Sequence, residues 1–151
     1  MQQDSLIPFN RQEWLSLLAK SQEKDLTELW EIIGLTPNFT WQRRPEIGSV
    51  MVQGRMGGTG DAFNVGEVTV TRGSIRLESG EVGHAYTQGR SKKKAEIIAI
   101  ADALMQTDKA GMLKQKLLIP LLQKQSNRHQ TVVTEAEKTR VDFFTLVRGE
   151  D

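Results

Sequence analysis

Ten of the 13 glycines of this chain fall between Gly48 and Gly89. Glycine at that density disfavours helix and marks turns, bulges and close backbone approach. The middle of the chain must therefore be built from strands and turns. On both sides the pattern changes to a helical period. The chain divides into a helical start, a strand-rich middle and a helical end. At 151 residues it has the length of one domain, and 1–151 reads as a single unit.

Composition then removes several classes of function. Cysteine is absent, which excludes disulfides, iron–sulfur ligation and cysteine-based zinc sites. The imidazoles are His84 and His129 alone, so no metal site and no cofactor bound by this chain is expected. A net charge of +1 gives no electrostatic case for nucleic acid. No stretch approaches the roughly 18 consecutive apolar residues of a membrane span. The start, Met-Gln-Gln-Asp, lacks the basic and apolar regions of a signal peptide, and a cytoplasmic location is the expectation.

Asn10 and Glu13 have the spacing of a capping box, and Trp14, Leu17 and Leu18 follow at helical period. Leu26, Leu29, Trp30 and Ile33 repeat the pattern up to Gly34, a C-terminal stop. These two segments predict an αα-hairpin. From Phe39 and Trp41 the period becomes two, and it continues through Val50, Val52, Gly54 and Met56, then Val68 and Val70. Ile75 and Leu77 have the opposite parity, which predicts a bulge or bend at Arg72-Gly73-Ser74. Ser79-Gly80 turns the chain into Val82, His84, Tyr86 and Gln88. The sum is an antiparallel meander of about four strands.

Ser91 caps the next predicted helix, which is apolar on most sides from Ala95 to Met105 and therefore central. Pro120 predicts a helix break after Leu117-Leu118-Ile119. Residues 127–139 are polar and helix-compatible, and Val141, Phe143 and Phe144 suggest a final extended segment. The fold class is α+β: a sheet packed against helices, an N-terminal helical hairpin and a helical C-terminal half. Phe143, Phe144, Trp41 and the Leu117–Leu122 stretch are the expected exposed apolar patch.

Three stretches offer chemistry. Arg55-Met56-Gly57-Gly58-Thr59-Gly60 is either a glycine-rich hairpin loop or an anion nest with Arg55 and Thr59 as added donors. It is not a phosphate loop of the Gly-Lys-Ser/Thr kind, and no helix follows it. Gln88-Gly89-Arg90-Ser91-Lys92-Lys93-Lys94 feeds the start of the central helix. Cations there oppose the helix dipole, at about 0.3–1 kcal/mol each when exposed, unless something anionic is met. The alternatives are a solvated basic turn, an acidic protein surface or a phosphate. The third stretch, Arg140 to Gly149, is apolar with charges between, and is either a terminal strand or an interface built on Phe143, Phe144 and Arg148. No catalytic set emerges: His84 has no motif partner and reads as structural. Glu96 and Asp102 lie about 120° apart around a helix.

The ordered pieces Arg55-Met56-Gly57-Gly58-Thr59-Gly60, Thr71-Arg72, Gly83-His84-Ala85-Tyr86, Gln88-Gly89-Arg90, Lys92, Asp102-Ala103-Leu104 and Arg140-Val141-Asp142-Phe143-Phe144-Thr145 together resemble the PhnG family. That family belongs to the bacterial carbon–phosphorus lyase core complex. The resemblance runs from about Arg11 to Gly149. It implies a subunit of α-D-ribose 1-methylphosphonate 5-triphosphate synthase, in which a phosphonate displaces adenine from ATP. It implies a hetero-oligomer with PhnH, PhnI and PhnJ, served by a PhnL-type ATPase, with ATP a substrate of the complex. Ser91 and Lys94 depart from the family's commoner Asp and His, which favours a binding or structural role for that turn. The leading expectation is an assembly subunit with no catalytic residue of its own. In that case Arg55, Arg72, Arg90 and Arg148 pair with partner carboxylates and the glycines admit close packing. The alternatives are direct triphosphate binding through Arg55, Gly57, Gly58, Thr59, Gly60, Gly89, Arg90 and Lys92, or a stand-alone phosphate-binding module.

Overall fold

A computed structural model describes residues 9–55 and 60–131. They form α1 (Arg11–Lys20), α2 (Glu23–Ile33), β1 (Phe39–Arg55), β2 (Ala62–Leu77), β3 (Val82–Gln88), α3 (Lys92–Leu104) and α4 (Ala110–Leu113). A π-helical stretch, Lys114–Leu118, and a helical run over 119–131 follow. The class is α+β as expected, with an antiparallel sheet, an N-terminal helical hairpin and a helical second half.

Local chemistry sets the helix ends. Asn10 Oδ1 accepts the Glu13 N–H at 2.8 Å and opens α1. Gly34 closes α2 at φ 71°, its N–H donating to Trp30 O. Ser91 Oγ accepts the Lys94 N–H at 3.0 Å and opens α3.

The strand order is β1-β2-β3. Thr71, Gly73 and Ile75 of β2 stand opposite Thr87, Ala85 and Gly83 of β3, and all six are buried. The residues between them, Arg72, Arg76, His84 and Tyr86, are exposed. This sheet therefore has an inner face toward α3 and an outer face free of the described helices. The core gathers Leu17, Leu18, Leu26, Ile75, Ile98 and Leu118, among others, around α3, whose residues Ile97–Leu104 are all buried. α3 lies so close to β3 that a Cβ on Gly83 would stand 1.8 Å from Ala99 O.

Several expectations change. Val68–Thr71 and Ile75–Leu77 belong to one continuous strand, so the described sheet has three strands where about four were expected. β2 passes Arg72-Gly73-Ser74 in unbroken register with β3. The extra residues lie in β1, between Trp41 and Glu46. Pro45 cannot donate to the ladder, so the irregularity collects there. The bulged backbone presses on Gly73, whose added Cβ would meet Arg43 O at 3.2 Å. The parity change along β2 means only that its apolar residues use both faces. Pro120 does not break the helix. The Ile119 N–H bonds Lys114 O, a wider turn that relieves the proline ring's conflict with the preceding carbonyls. Trp41 packs on the core and Leu117, Leu118, Ile119 and Leu121 are buried, which leaves Leu122 alone exposed in that stretch and no patch. Large exposed apolar residues cluster instead on the ribbon that β1 and β2 form beyond β3, at Val50, Met51, Val52, Phe63 and Val65. Phe143 and Phe144 lie outside the described residues.

Gly83→Ala is expected to destabilise the chain by about 2–3 kcal/mol or to prevent folding, because α3 must lift off the sheet. Gly48→Ala, whose Cβ meets no described atom within 4 Å, should change stability by less than about 1 kcal/mol. Urea unfolding of both variants checks the contrast.

Candidate functional site

The start of α3 borders an open cleft of about 490 Å³ lined by Glu23, Gln88, Gly89, Arg90, Ser91 and Lys94. Gly89 adopts φ 105°, which a residue with a Cβ rarely tolerates. Its N–H is spent on Thr69 O at 2.8 Å, and its carbonyl accepts from Thr71 Oγ1 at 2.7 Å. Gly89 therefore shapes the turn and has no free N–H for a ligand. Arg90 and Lys92 are exposed beside it. Lys94 is not part of a solvated basic run. Its Nζ is buried and donates to Ala19 O at 3.0 Å and Ser21 O at 2.6 Å. These carbonyls end α1, where the helix dipole favours a cation. Burial holds the Lys94 ammonium below its ordinary value, opposed by the nearby Glu23 carboxylate. Ser91 also donates to Glu23 at the start of α2. An Asp at position 91 would place a second carboxylate against Glu23, so Ser91 and Lys94 together suit this junction.

Twelve residues after Arg90 in the chain, Asp102 is completely buried and fully bonded. Its Oδ1 accepts from Trp14 Nε1 at 2.7 Å and Arg11 Nε at 3.2 Å. Its Oδ2 accepts from Arg11 Nη2 and from the His84 backbone N–H, both at 2.9 Å. The fork of Arg11 meets the carboxylate on both oxygens. Bonding to Asp102 raises Arg11 above its already high ordinary value. Asp102 thus ties α1 and β3 to α3. His84 serves through its backbone, and its side chain points to the open face. Sequence reading assigned Asp102 no role, because its partners lie far away in the chain. The visible signal is an acid set inside the apolar run from Ile97 to Leu104.

The other singled-out residues are dispersed. Arg55 reaches across the ribbon end to Gly60 O at 3.4 Å. About seven residues of strand, or roughly 23 Å, separate that end from Gly89 beside Thr69. Arg55 and Gly60, the described residues of the first stretch, therefore lie far from Gly89 and Arg90. Arg72 stands on the outer sheet face, 3.7 Å from Glu46. Gly57, Gly58, Thr59 and Arg148 lie outside the described residues. Among the described residues no buried side-chain N or O lacks a hydrogen-bond partner, and no group of three His, Asp or Glu is arranged to hold a metal ion. Among them, too, no helix is long and apolar enough to cross a membrane.

The family model described as phosphonate metabolism protein PhnG matches residues 9–149. The chain belongs to the PhnG family. It is similar to the α-D-ribose 1-methylphosphonate 5-triphosphate synthase subunit PhnG of Rhizobium meliloti (strain 1021), with 41% identity over 141 residues. That match covers 93% of this chain and 90% of the relative. Several residues that carried the PhnG resemblance have a packing role here: Gly83 admits α3, Asp102 orients it and Gly89 turns the chain into it.

Two measurements test this assignment. Asp102→Ala should cost about 3–5 kcal/mol in urea unfolding, since it strands the Arg11, Trp14 and His84 donors. Asp102→Asn keeps one acceptor oxygen and should cost about 1–3 kcal/mol. For Lys94, the unfolded chain keeps its proton up to the ordinary value of 10.5, whereas the folded chain releases it sooner. Between the lowered folded value and 10.5 the unfolded state binds more protons, so stability rises with pH there. Wild type should gain on Lys94→Met as pH climbs through that window.

Proposed function

We propose that this PhnG-family chain is a subunit of an α-D-ribose 1-methylphosphonate 5-triphosphate synthase in phosphonate catabolism, and that its own task is assembly. The supporting observation is the 41% identity to a synthase subunit across nearly the whole chain. In the reaction of the complex, a phosphonate oxygen attacks C1′ of ATP. The new C1′–O bond replaces the glycosidic C–N bond, and adenine leaves with a proton. Binding partners are the core subunits PhnH, PhnI and PhnJ, with a PhnL-type ATPase, in the cytoplasm. ATP is a substrate of the whole complex, and this chain holds no cofactor of its own. Among the described residues the buried charged side chains, Asp102, Asp25 and Lys94, are all consumed in fixing helices. Its exposed arginines and apolar ribbon are what remain for partners.

A second reading draws on the cleft at the start of α3. There Arg90 and Lys92 contact the ATP triphosphate within the assembled complex, holding it for attack at C1′.

Calorimetry of ATP against the isolated chain, followed by adenine release after reconstitution with the other subunits, separates the two. The assembly reading expects no ATP binding by the chain alone and activity only on assembly. Arg90→Ala should then leave adenine release within about twofold of wild type. Normal assembly with release reduced by about 100-fold or more would transfer Arg90 to the ligand.

A further inference from the structure

We propose that the face of the sheet left free by the described helices is a docking surface for an acidic, partly apolar surface of a partner subunit, an inference that rests on the subunit reading above. Its centre is Ser74, buried although it lies on the outer face. Arg72 and Arg76 flank it along β2 on the same face, each about 7 Å away. Arg43 of β1 and His84 of β3 stand opposite it on either side. Tyr86, opposite Arg72, extends the ring and is 54% exposed.

Charge is unevenly matched on this face. Arg72 faces Glu46 at 3.7 Å, with both side chains more than half exposed, a pair of small energetic consequence. Among the described residues Arg43 and Arg76 have no ion-pair partner. Three guanidinium groups therefore share one carboxylate. Arginine suits protein interfaces because its fork binds carboxylates on two points and is weakly hydrated.

The same face continues along the ribbon as an apolar strip. Val50 pairs with Val68, and Val52 with Gly66. At the register shift beyond them, Val65 and Phe63 lie over Gly54, whose added Cβ would meet them at 3.1 and 3.2 Å. Val50, Val52, Phe63 and Val65 are 37–63% exposed. A free triphosphate would leave this strip unused. A second copy packed face to face would set arginine against arginine or against valine, supplying no surplus carboxylate. An acidic protein surface with apolar residues beside its carboxylates satisfies both halves.

The test is co-expression of the full chain with PhnH, PhnI and PhnJ, reading complex recovery by size exclusion with light scattering. The isolated chains are also melted by circular dichroism. Arg43→Glu/Arg72→Glu/Arg76→Glu should lower recovery by about tenfold or more, and the corresponding lysine triple should stay within about threefold of wild type. Val50→Ser/Val52→Ser should also lower recovery. All variants should melt within a few degrees of wild type, since the face is open. Recovery of the glutamate triple at wild-type level overturns the proposal. So does a glutamate triple that fails to fold, or that matches a chain ending at residue 131 in lost stability, because residues 132–151 would then be the occupant. An isolated wild-type dimer that the glutamate triple converts to monomer assigns the face to a second copy. ATP binding by the isolated chain that the glutamate triple abolishes assigns it to a phosphate ligand. Failure of the wild-type chain itself to assemble sinks the subunit reading, and this inference with it.

Discussion

The Asp102 carboxylate is the constraint on which the rest of this structure depends. α3 is apolar around nearly its whole circumference, so hydrophobic burial alone would leave its rotation on the sheet loosely specified. One buried acid removes that freedom. Its four acceptor positions are filled from α1 and from the β3 backbone, and only one rotation of α3 presents it to both. The desolvation of a buried carboxylate offsets much of what the ion pair returns. Its contribution is therefore geometric. Once the His84 N–H must reach Asp102, β3 lies against the helix backbone, and position 83 has no room for a side chain.

That geometry divides the molecule. The helical hairpin and the C-terminal helical run close over α3, held by Gln125 on Leu17 O and by Arg128 on Asp25. Lys94 and Ser91 fasten the start of α3 to the α1–α2 junction. The polar groups buried among these helices serve one another. What is left open is the other side of the sheet and the ribbon beyond β3, where arginines and valines stand in solvent. A chain built this way offers surfaces more readily than an enclosed reaction chamber.

Much of this was legible locally. Asn10, Gly34 and Ser91 announced helix ends because capping is a short-range bond between a side chain and nearby amides. The change of period at Phe39 announced the sheet, and the long apolar run from Ala95 announced the central helix. Asp102 was not legible as an anchor, since Arg11 and Trp14 lie 91 and 88 residues away. A bulge on β2 follows from the sequence only if Val68 and Val70 share a face with Ile75 and Leu77. They do not: Val68 and Val70 lie on the outer face, Ile75 and Leu77 on the inner. A parity change alone cannot distinguish an inserted residue from a strand that uses both faces. At Pro120 the proline rule was outweighed by burial of Leu117, Leu118 and Leu121, which holds the helix together through a wider turn.

The glycines that dominate the middle of the chain now separate into two kinds. Gly73 and Gly83 are required by backbone that presses on them, and Gly89 by its turn. Gly48 meets no described atom and needs no unusual backbone angle. It lies at the foot of the ribbon, on the face that carries Val50 and Val52. In a strand, glycine forfeits both packing and chain entropy, so a position without an internal reason weakens the ribbon. A surface on which another backbone settles supplies the missing reason, since removing a Cβ lets it approach the strand. The residue that the fold does not explain thus falls on the same face as the exposed valines and the arginine ring.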